Sequence, residues 1–253
     1  MNRDALAGRL RAAGSVFAEE EADLLLASAV GADELESRIA RRVAGEPLEL
    51  ILASVEFDGL RLRTAPGVFV PRVRTAHLVR VVARLAQPGA VVADVCCGIG
   101  AVAAALQHRR PDLRLVACDL DPRAVAAAQS NLPGVEIHTG DLLEALPAET
   151  VAGLGMVVAN TPYVPTGQVR HLPPEARLHE PAHALDGGAD GLAVQRRLAQ
   201  QVRDRLAPGT VLVTEVAGSQ VDAATAMLAE LGLEATAETS RRWGSAAMIA
   251  TVG

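Results

Sequence analysis

Val91-Val92-Ala93-Asp94-Val95-Cys96-Cys97-Gly98-Ile99-Gly100-Ala101-Val102-Ala103 is the stretch on which the fold turns. Residues 91 to 95 read as a short apolar strand, and residues 98 to 108 as a helix entered directly from it. Glycines at such a junction let the backbone approach a ligand closely. The helix amino terminus behind them offers N–H groups without intrahelical partners. The same unit repeats outward along the chain. Strands are expected at 113 to 118, 135 to 138, 156 to 159, 211 to 216 and 246 to 252. Helices are expected at 122 to 132, with Pro122 in the first turn, and at 193 to 206 and 221 to 231. Strands alternating with helices imply an α/β fold, a mostly parallel sheet with helices on both faces.

The chain before residue 71 reads differently. Residues 1 to about 44 are helical in pattern, with Ala22, Leu25, Leu26 and Ala29 at helical spacing behind Glu19 to Glu21. Leu35, Ile39 and Val43 continue the spacing to Gly45, a plausible stop. Residues 55 to 63 alternate around Asp58-Gly59, a hairpin signal, and Pro66-Gly67 and Pro71 punctuate the joint. The expected division is a small helical domain with a hairpin, 1–70, ahead of the α/β domain, 71–253.

Composition narrows the function classes. No apolar run approaches the roughly 20 residues that cross a bilayer, and Arg3, Asp4, Arg9 and Arg11 leave no room for a signal-peptide core. A cytoplasmic enzyme is expected. All 24 Lys+Arg positions are arginine, and the net charge of −6 with 2% aromatics argues against a basic, base-stacking nucleic-acid surface. The 3 cysteines include the neighbours Cys96 and Cys97, which excludes a disulfide framework. Adjacent residues in a tight loop rarely both reach one metal, so Cys96, Cys97 and Cys118 read as packing residues. His179 and His183 have i, i+4 spacing, but Pro181 breaks the helix that would align them. No metal is expected.

Polar groups recur at the carboxyl ends of the first strands, where open α/β sheets bind ligands. Asp94 ends the first strand. Asp119, one helix later, can accept both hydroxyl hydrogens of a ribose, with Leu120 beside it. Asp141, followed by Leu142, closes the third and could take an adenine amino group. This favours S-adenosylmethionine. Gly98-Ile99-Gly100-Ala101-Val102-Ala103 also fits the dinucleotide pattern G-x-G-x-x-A, which keeps a nucleotide-dependent oxidoreductase open.

The expected fourth strand, 156 to 159, ends in Asn160-Thr161-Pro162-Tyr163 at the same rim. An amide nitrogen is a poor nucleophile because its lone pair is delocalised into the carbonyl. A site must hold its N–H hydrogens so that the lone pair points at the donor methyl. Asn160 can accept one N–H through its side-chain oxygen, and the Thr161 carbonyl the other. Pro162 stiffens the turn, and Tyr163 offers a flat face to a planar group. Such catalysis rests on orientation more than on a strong base.

With these residues in place, the chain resembles the protein glutamine N5-methyltransferases that modify peptide chain release factors. Gly45-Glu46-Pro47-Leu48, Glu56-Phe57-Asp58-Gly59-Leu60 and Val70-Pro71-Arg72 with Thr75 are similar to that family's domain junction. Asp94 to Gly100 (Cys96, Cys97, Gly98 and Ile99 between them), Asp119 and Asp141-Leu142 resemble its cofactor motifs. Asn160 to Tyr163 with Val164-Pro165 resembles its Asn-Pro-Pro-Tyr signature. Glu180-Pro181, Ala184-Leu185, Gly187-Gly188, Asp190-Gly191-Leu192, and later Glu215 and Gln220, follow further family patterns. The sequence departs from the family at Thr161 for the first proline of the signature, Cys96 for the first loop glycine, and Ala76 for an acid. The resemblance implies a Rossmann-like, seven-stranded class I methyltransferase sheet, S-adenosyl-L-methionine as cofactor, and an acceptor protein bearing a glutamine loop. Adenine in nucleic acid or a small molecule is the alternative acceptor.

Overall fold

The computed structural model describes residues 2–253. The chain opens with α1 (Arg3–Ala12), α2 (Ala18–Ser28), α3 (Ala32–Val43) and the single turn α4 (Leu48–Ile51). Asn2 starts α1 by accepting the Ala5 N–H at 2.9 Å. Leu6, Leu10, Ala18, Ala22, Leu25, Ile39 and Ile51 close into a core of their own.

The hairpin β1 (Ser54–Phe57) and β2 (Leu60–Arg63) turns at Asp58 and Gly59, with φ of 51° and 83°, the left-handed pair that a two-residue hairpin requires. Its inward residues Val55, Phe57 and Leu62 pack into the core of the large sheet. Helices α1 to α3 keep a separate cluster, while α4 contributes Ile51 to it and Leu50 to the sheet core beside the hairpin.

The α/β part follows as α5 (Ala76–Leu85), β3 (Val91–Val95), α6 (Ala101–Arg109), β4 (Arg114–Asp119), α7 (Pro122–Asn131), β5 (Glu136–Thr139), α8 (Ala148–Ala152) and β6 (Met156–Ala159). After β6 come the short α9 (Thr166–Val169) and α10 (Pro174–His179), then α11 (Ala193–Arg205), β7 (Val211–Ala217), α12 (Val221–Glu230), β8 (Glu234–Ser240) and β9 (Ser245–Thr251). The strands order as β5-β4-β3-β6-β7-β9-β8 in a 7-stranded sheet. The first five in that order are parallel, and β9 runs antiparallel to both its neighbours.

Strand periodicity sorts the core into two layers. Val92, Met156, Val158 and Val213 face α5, α6 and α7. Val95, Val157, Ala159 and Leu212 face α11 and α12. Besides the short helices α8, α9 and α10, which the sequence reading also lacks, two longer elements escape it. Helix α5 is rich in β-branched valine, which weakens its helical signal, yet it buries Leu78, Val79, Val81 and Val82. Strand β8, Glu-Ala-Thr-Ala-Glu-Thr-Ser, is a mostly exposed edge with no large apolar residue. A third difference corrects the helix start. Cys96, Gly98 and Gly100 take φ of 59°, 56° and 79°, so α6 begins at Ala101 and residues 96 to 100 form a loop. No helix among the described residues is long and apolar enough to cross a membrane.

Candidate active site

The carboxyl ends of β3, β4, β5 and β6 open onto one cleft of about 360 Å³. That volume falls within the roughly 300–1,000 Å³ of small-ligand sites. Cys96, Gly98, Asp119, Leu120, Asp141 and Leu142 line one half of it, and Asn160 to Tyr163 the other.

Backbone amides organise the first half. Asp119 Oδ2 accepts the Gly98 N–H at 2.8 Å, and Oδ1 accepts the Asp121 N–H at 2.9 Å. Each carboxylate oxygen still has a lone pair to offer, enough for a vicinal diol. Burial pushes the Asp119 carboxyl above the usual range, against those two amides. Asp94 lies beneath the loop, buried, and Oδ2 accepts the Ala103 N–H at 3.0 Å in the first turn of α6. The helix amino end favours its charge. Burial outweighs that and pushes its pKa up to about 7, with the Asp119 charge adding to the rise. Asp141 is ion-paired to Arg197 of α11. Leu142, at φ 52°, is a buried residue in the cleft wall.

Several expected cofactor residues therefore stand behind the wall. Asp94, Cys97, Ile99 and Gly100 do not line the cleft. Ile99 is in the hydrophobic core, and Gly100 packs so closely on Leu132 that a Cβ there would lie 2.6 Å from Leu132 Cδ1. Their part is to build and hold the loop.

The second half is built from side chains. Asn160 leaves β6 and donates from Nδ2 to Thr75 Oγ1 at 3.3 Å. Its Oδ1 is sealed from bulk water and has no hydrogen-bond partner, and the same is true of the Thr161 hydroxyl. No hydrogen bond reaches the Thr161 carbonyl among the described residues. The Tyr163 hydroxyl donates to Glu215 Oε1 at 3.2 Å and accepts from Arg74, whose guanidinium lies 5.7 Å from the ring centroid. Burial, then the Glu215 charge, pushes the Tyr163 pKa up to about 12, so the hydroxyl keeps its proton at neutral pH. Burial also raises the Glu215 carboxyl, opposed by Thr75, Arg74 and Tyr163.

A glycine loop clamps this segment. The Val164 N–H donates to the Leu185 carbonyl at 3.1 Å, and the Gly187 N–H to the Val164 carbonyl at 2.8 Å. A Cβ on Gly187 would fall 2.6 Å from the Pro162 carbonyl oxygen, so glycine is needed for the approach. Gln220 Nε2 donates to the Tyr163 carbonyl at 2.9 Å. On the outer wall, the buried Glu180 accepts from Arg72 at 2.7 Å.

Arg74 and Arg197 carried no sequence signal. Arg74 meets Tyr163 and Glu215 across 89 and 141 residues of chain, and Arg197 meets Asp141 across 56. Thr75, Glu180 and Glu215 stood out by family resemblance alone, and local pattern gave them no chemistry.

Known proteins are similar to this chain in sequence and in fold. The family model described as Methyltransferase small domain matches residues 59–200. The Release factor glutamine methyltransferase of Geobacter sulfurreducens is 35% identical over 198 residues, covering 77% of this chain and 69% of its own length. The 4-amino-L-phenylalanine/4-methylamino-L-phenylalanine methyltransferase of Streptomyces pristinaespiralis is 34% identical, over 77% of this chain and 69% of its own. A methyltransferase of Pyrococcus furiosus of known crystal structure superposes with a TM-score of 0.57 at 13% identity, covering 86% of this chain and 98% of that one. This last likeness is one of fold.

Proposed function

Because this chain belongs to the release factor glutamine methyltransferase family, we propose that it methylates the side-chain amide nitrogen of a glutamine in a protein, with a peptide chain release factor as acceptor. It is an S-adenosylmethionine-dependent methyltransferase of the Rossmann-like α/β class. When bound, S-adenosylmethionine supplies a methyl group already activated by a positive sulfur.

The residues present fit that donor. The free lone pairs of Asp119 suit the ribose hydroxyls, and Asp141 with Leu142 suits the adenine edge and face. The observation that carries the acceptor reading is the orphaned Asn160 Oδ1. A buried polar atom without a partner costs about 1–3 kcal/mol and is retained where a ligand satisfies it. An amide N–H is the complementary group. Asn160 Oδ1 takes one N–H and the Thr161 carbonyl the other, turning the lone pair of the acceptor nitrogen towards the donor half. The Tyr163 ring packs on the planar amide, held by Glu215 and Arg74. As the nitrogen gains the methyl, with the S–CH3 bonding pair staying on the sulfur, it becomes cationic; the N–H held by Asn160 Oδ1 turns acidic, so that interaction strengthens towards the transition state, and the proton is then released to solvent.

The helical part before the α/β fold recognises the acceptor protein. Its exposed Val16, Phe17, Leu24 and Val30 support this reading, as does the ion pair of Arg42 with Glu175 at the cleft wall. A second acceptor class is a free aromatic amine, favoured by the Streptomyces relative. Transfer of labelled methyl to a bacterial release factor with a Gly-Gly-Gln loop, run beside 4-amino-L-phenylalanine, tests the choice. Label on the glutamine of the loop is expected. Label on the amino acid alone would replace the protein acceptor with the small one.

A further inference from the structure

Asp141 does not stand alone at the donor end of the cleft. Arg197, near the start of α11, donates to its Oδ2, and both side chains line the cleft. The pair is open to water, with the side chains of Arg197 and Asp141 52% and 37% exposed, and an ion pair so placed adds little to the stability of a fold. Its place at the cleft is better explained by a ligand.

The contact between the two occupies one carboxylate oxygen and one guanidinium nitrogen. Asp141 Oδ1 and the other nitrogens of Arg197 make no hydrogen bond among the described residues. A carboxylate only accepts and a guanidinium only donates, so side by side they offer an acceptor next to a donor. The edge of adenine is the complement. Its amino group donates, and the ring nitrogens on either side of it accept. Val194, one turn before Arg197 on the same helix, lines the cleft too, as does Leu142 next to Asp141. Two apolar side chains thus accompany the charged pair, the mixture that a flat aromatic base needs.

We propose that Arg197 is a donor-binding residue that reads the adenine edge together with Asp141. Asp141 Oδ1 accepts from the amino group, and Arg197 donates to a ring nitrogen beside it. The inference rests on the reading of Asp141 and Leu142 as the adenine site. It also accounts for the arginine on that carboxylate. A base laid over Asp141 drives water from it, and a charge deprived of water is costly unless it stays paired. Arg197 keeps Oδ2 paired while Oδ1 serves the base.

The test is calorimetric titration of the full chain, and it needs no acceptor. Arg197→Met, with Arg197→Ala as a second variant, removes the donor groups at an exposed helix position, where substitutions disturb a fold little. Each should bind S-adenosylhomocysteine about tenfold more weakly than the parent, the loss of one charge-assisted hydrogen bond. The 1-deaza and 7-deaza analogues of that ligand each lack one ring nitrogen. One of the two is expected to bind the parent about tenfold more weakly and to lose at most about twofold more in Arg197→Met, because the partner is already gone. S-inosylhomocysteine, with a carbonyl where adenine has its amino group, turns an acceptor towards Asp141. It should bind the parent at least about tenfold more weakly than S-adenosylhomocysteine.

A parental dissociation constant in Arg197→Met overturns the inference, as does a loss of one size for S-adenosylhomocysteine and both deaza analogues. Asp141→Ala tells this failure from that of the premise. If Asp141→Ala binds weakly while Arg197→Met binds as the parent does, the adenine site stands and Arg197 leaves it. If Asp141→Ala keeps the parental constant, or S-inosylhomocysteine binds as tightly as S-adenosylhomocysteine, the base lies elsewhere and the inference falls with the premise.

Discussion

The two halves of the cleft solve the problem of a buried polar surface in opposite ways. On the donor side, Asp94 and Asp119 have backbone N–H partners at 2.8–3.0 Å, and the loop between them is held by its own geometry. On the acceptor side, Asn160 Oδ1, Thr161 Oγ1 and Glu215 Oε2 are buried without partners. A donor used in every turnover is met by a surface that stands complete beforehand. Of these, Asn160 Oδ1 is the atom that the acceptor amide is proposed to pair. In such a molecule binding strength resides on one side of the cleft and discrimination on the other.

The sharpest way to break this comparison is Asn160→Ala. Methyl transfer should fall by about 10²–10³, the usual cost of one preorganised partner of the transition state, while donor affinity stays within a few-fold. Initial rates with labelled donor, set beside calorimetric titration of the same protein, give both numbers. Equal losses in rate and affinity would mean that Asn160 belongs to the donor half.

Asp119→Ala is the mirror image. It strands the ribose hydroxyls and frees the Gly98 and Asp121 amides, so donor affinity should drop at least tenfold, each lost partner costing about 1–3 kcal/mol. Calorimetry with S-adenosylhomocysteine reads it directly. A parental dissociation constant would remove Asp119 from the site.

Asp94→Asn probes stability. Burial places the folded carboxyl at about 7 against an ordinary value of 3.8. A raised folded pKa means that its contribution is fully present below the unfolded value and is lost as pH rises through about 7. Asparagine keeps an oxygen for the Ala103 N–H without the charge. The ligand-free variant should therefore be more stable than the parent at pH 8, by a few kcal/mol at roughly 1.4 kcal/mol per pKa unit, and the gap should close towards pH 4. Melting curves at several pH values check it, and a gap that does not change with pH would contradict the assignment.

Thr161→Val carries the smallest effect. Valine has the shape of threonine without its unpaired hydroxyl, so the fold should gain about 1 kcal/mol. The rate should stay within a few-fold, because the backbone carbonyl is the acceptor at that position. A much higher KM would instead make the hydroxyl a contact of the acceptor.

Much of this was legible in the sequence because the donor half is made of contiguous chain. Strand β6 falls where its run of apolar residues predicted, and the neighbouring strands lie within a residue or so of their expected bounds. The loop was misread by a few residues because Gly98 and Gly100 suit a helix start and a left-handed turn equally well, and the turn won. Helix α5 and strand β8 were hidden by composition. Valines disguised the helix, and an edge strand with one mostly exposed face needs no apolar run.

The sequence by itself determined most of the succession of strands and helices, and it placed the motif Asn160 to Tyr163 at the carboxyl-end rim of the sheet. These follow from local periodicity and from the rule that parallel sheets bind at their carboxyl ends. Only the tertiary structure decided which residues face the cleft and which support it from behind. It moved Asp94 beneath the loop and brought Arg197 to Asp141. It also set Thr75 and Glu215 against Asn160 and Tyr163, across as much as 85 residues for Asn160 and 52 for Tyr163. Hydrogen bonds between distant side chains leave no period and no fixed spacing in the chain. The crossing connections of the sheet alone determine which of them meet.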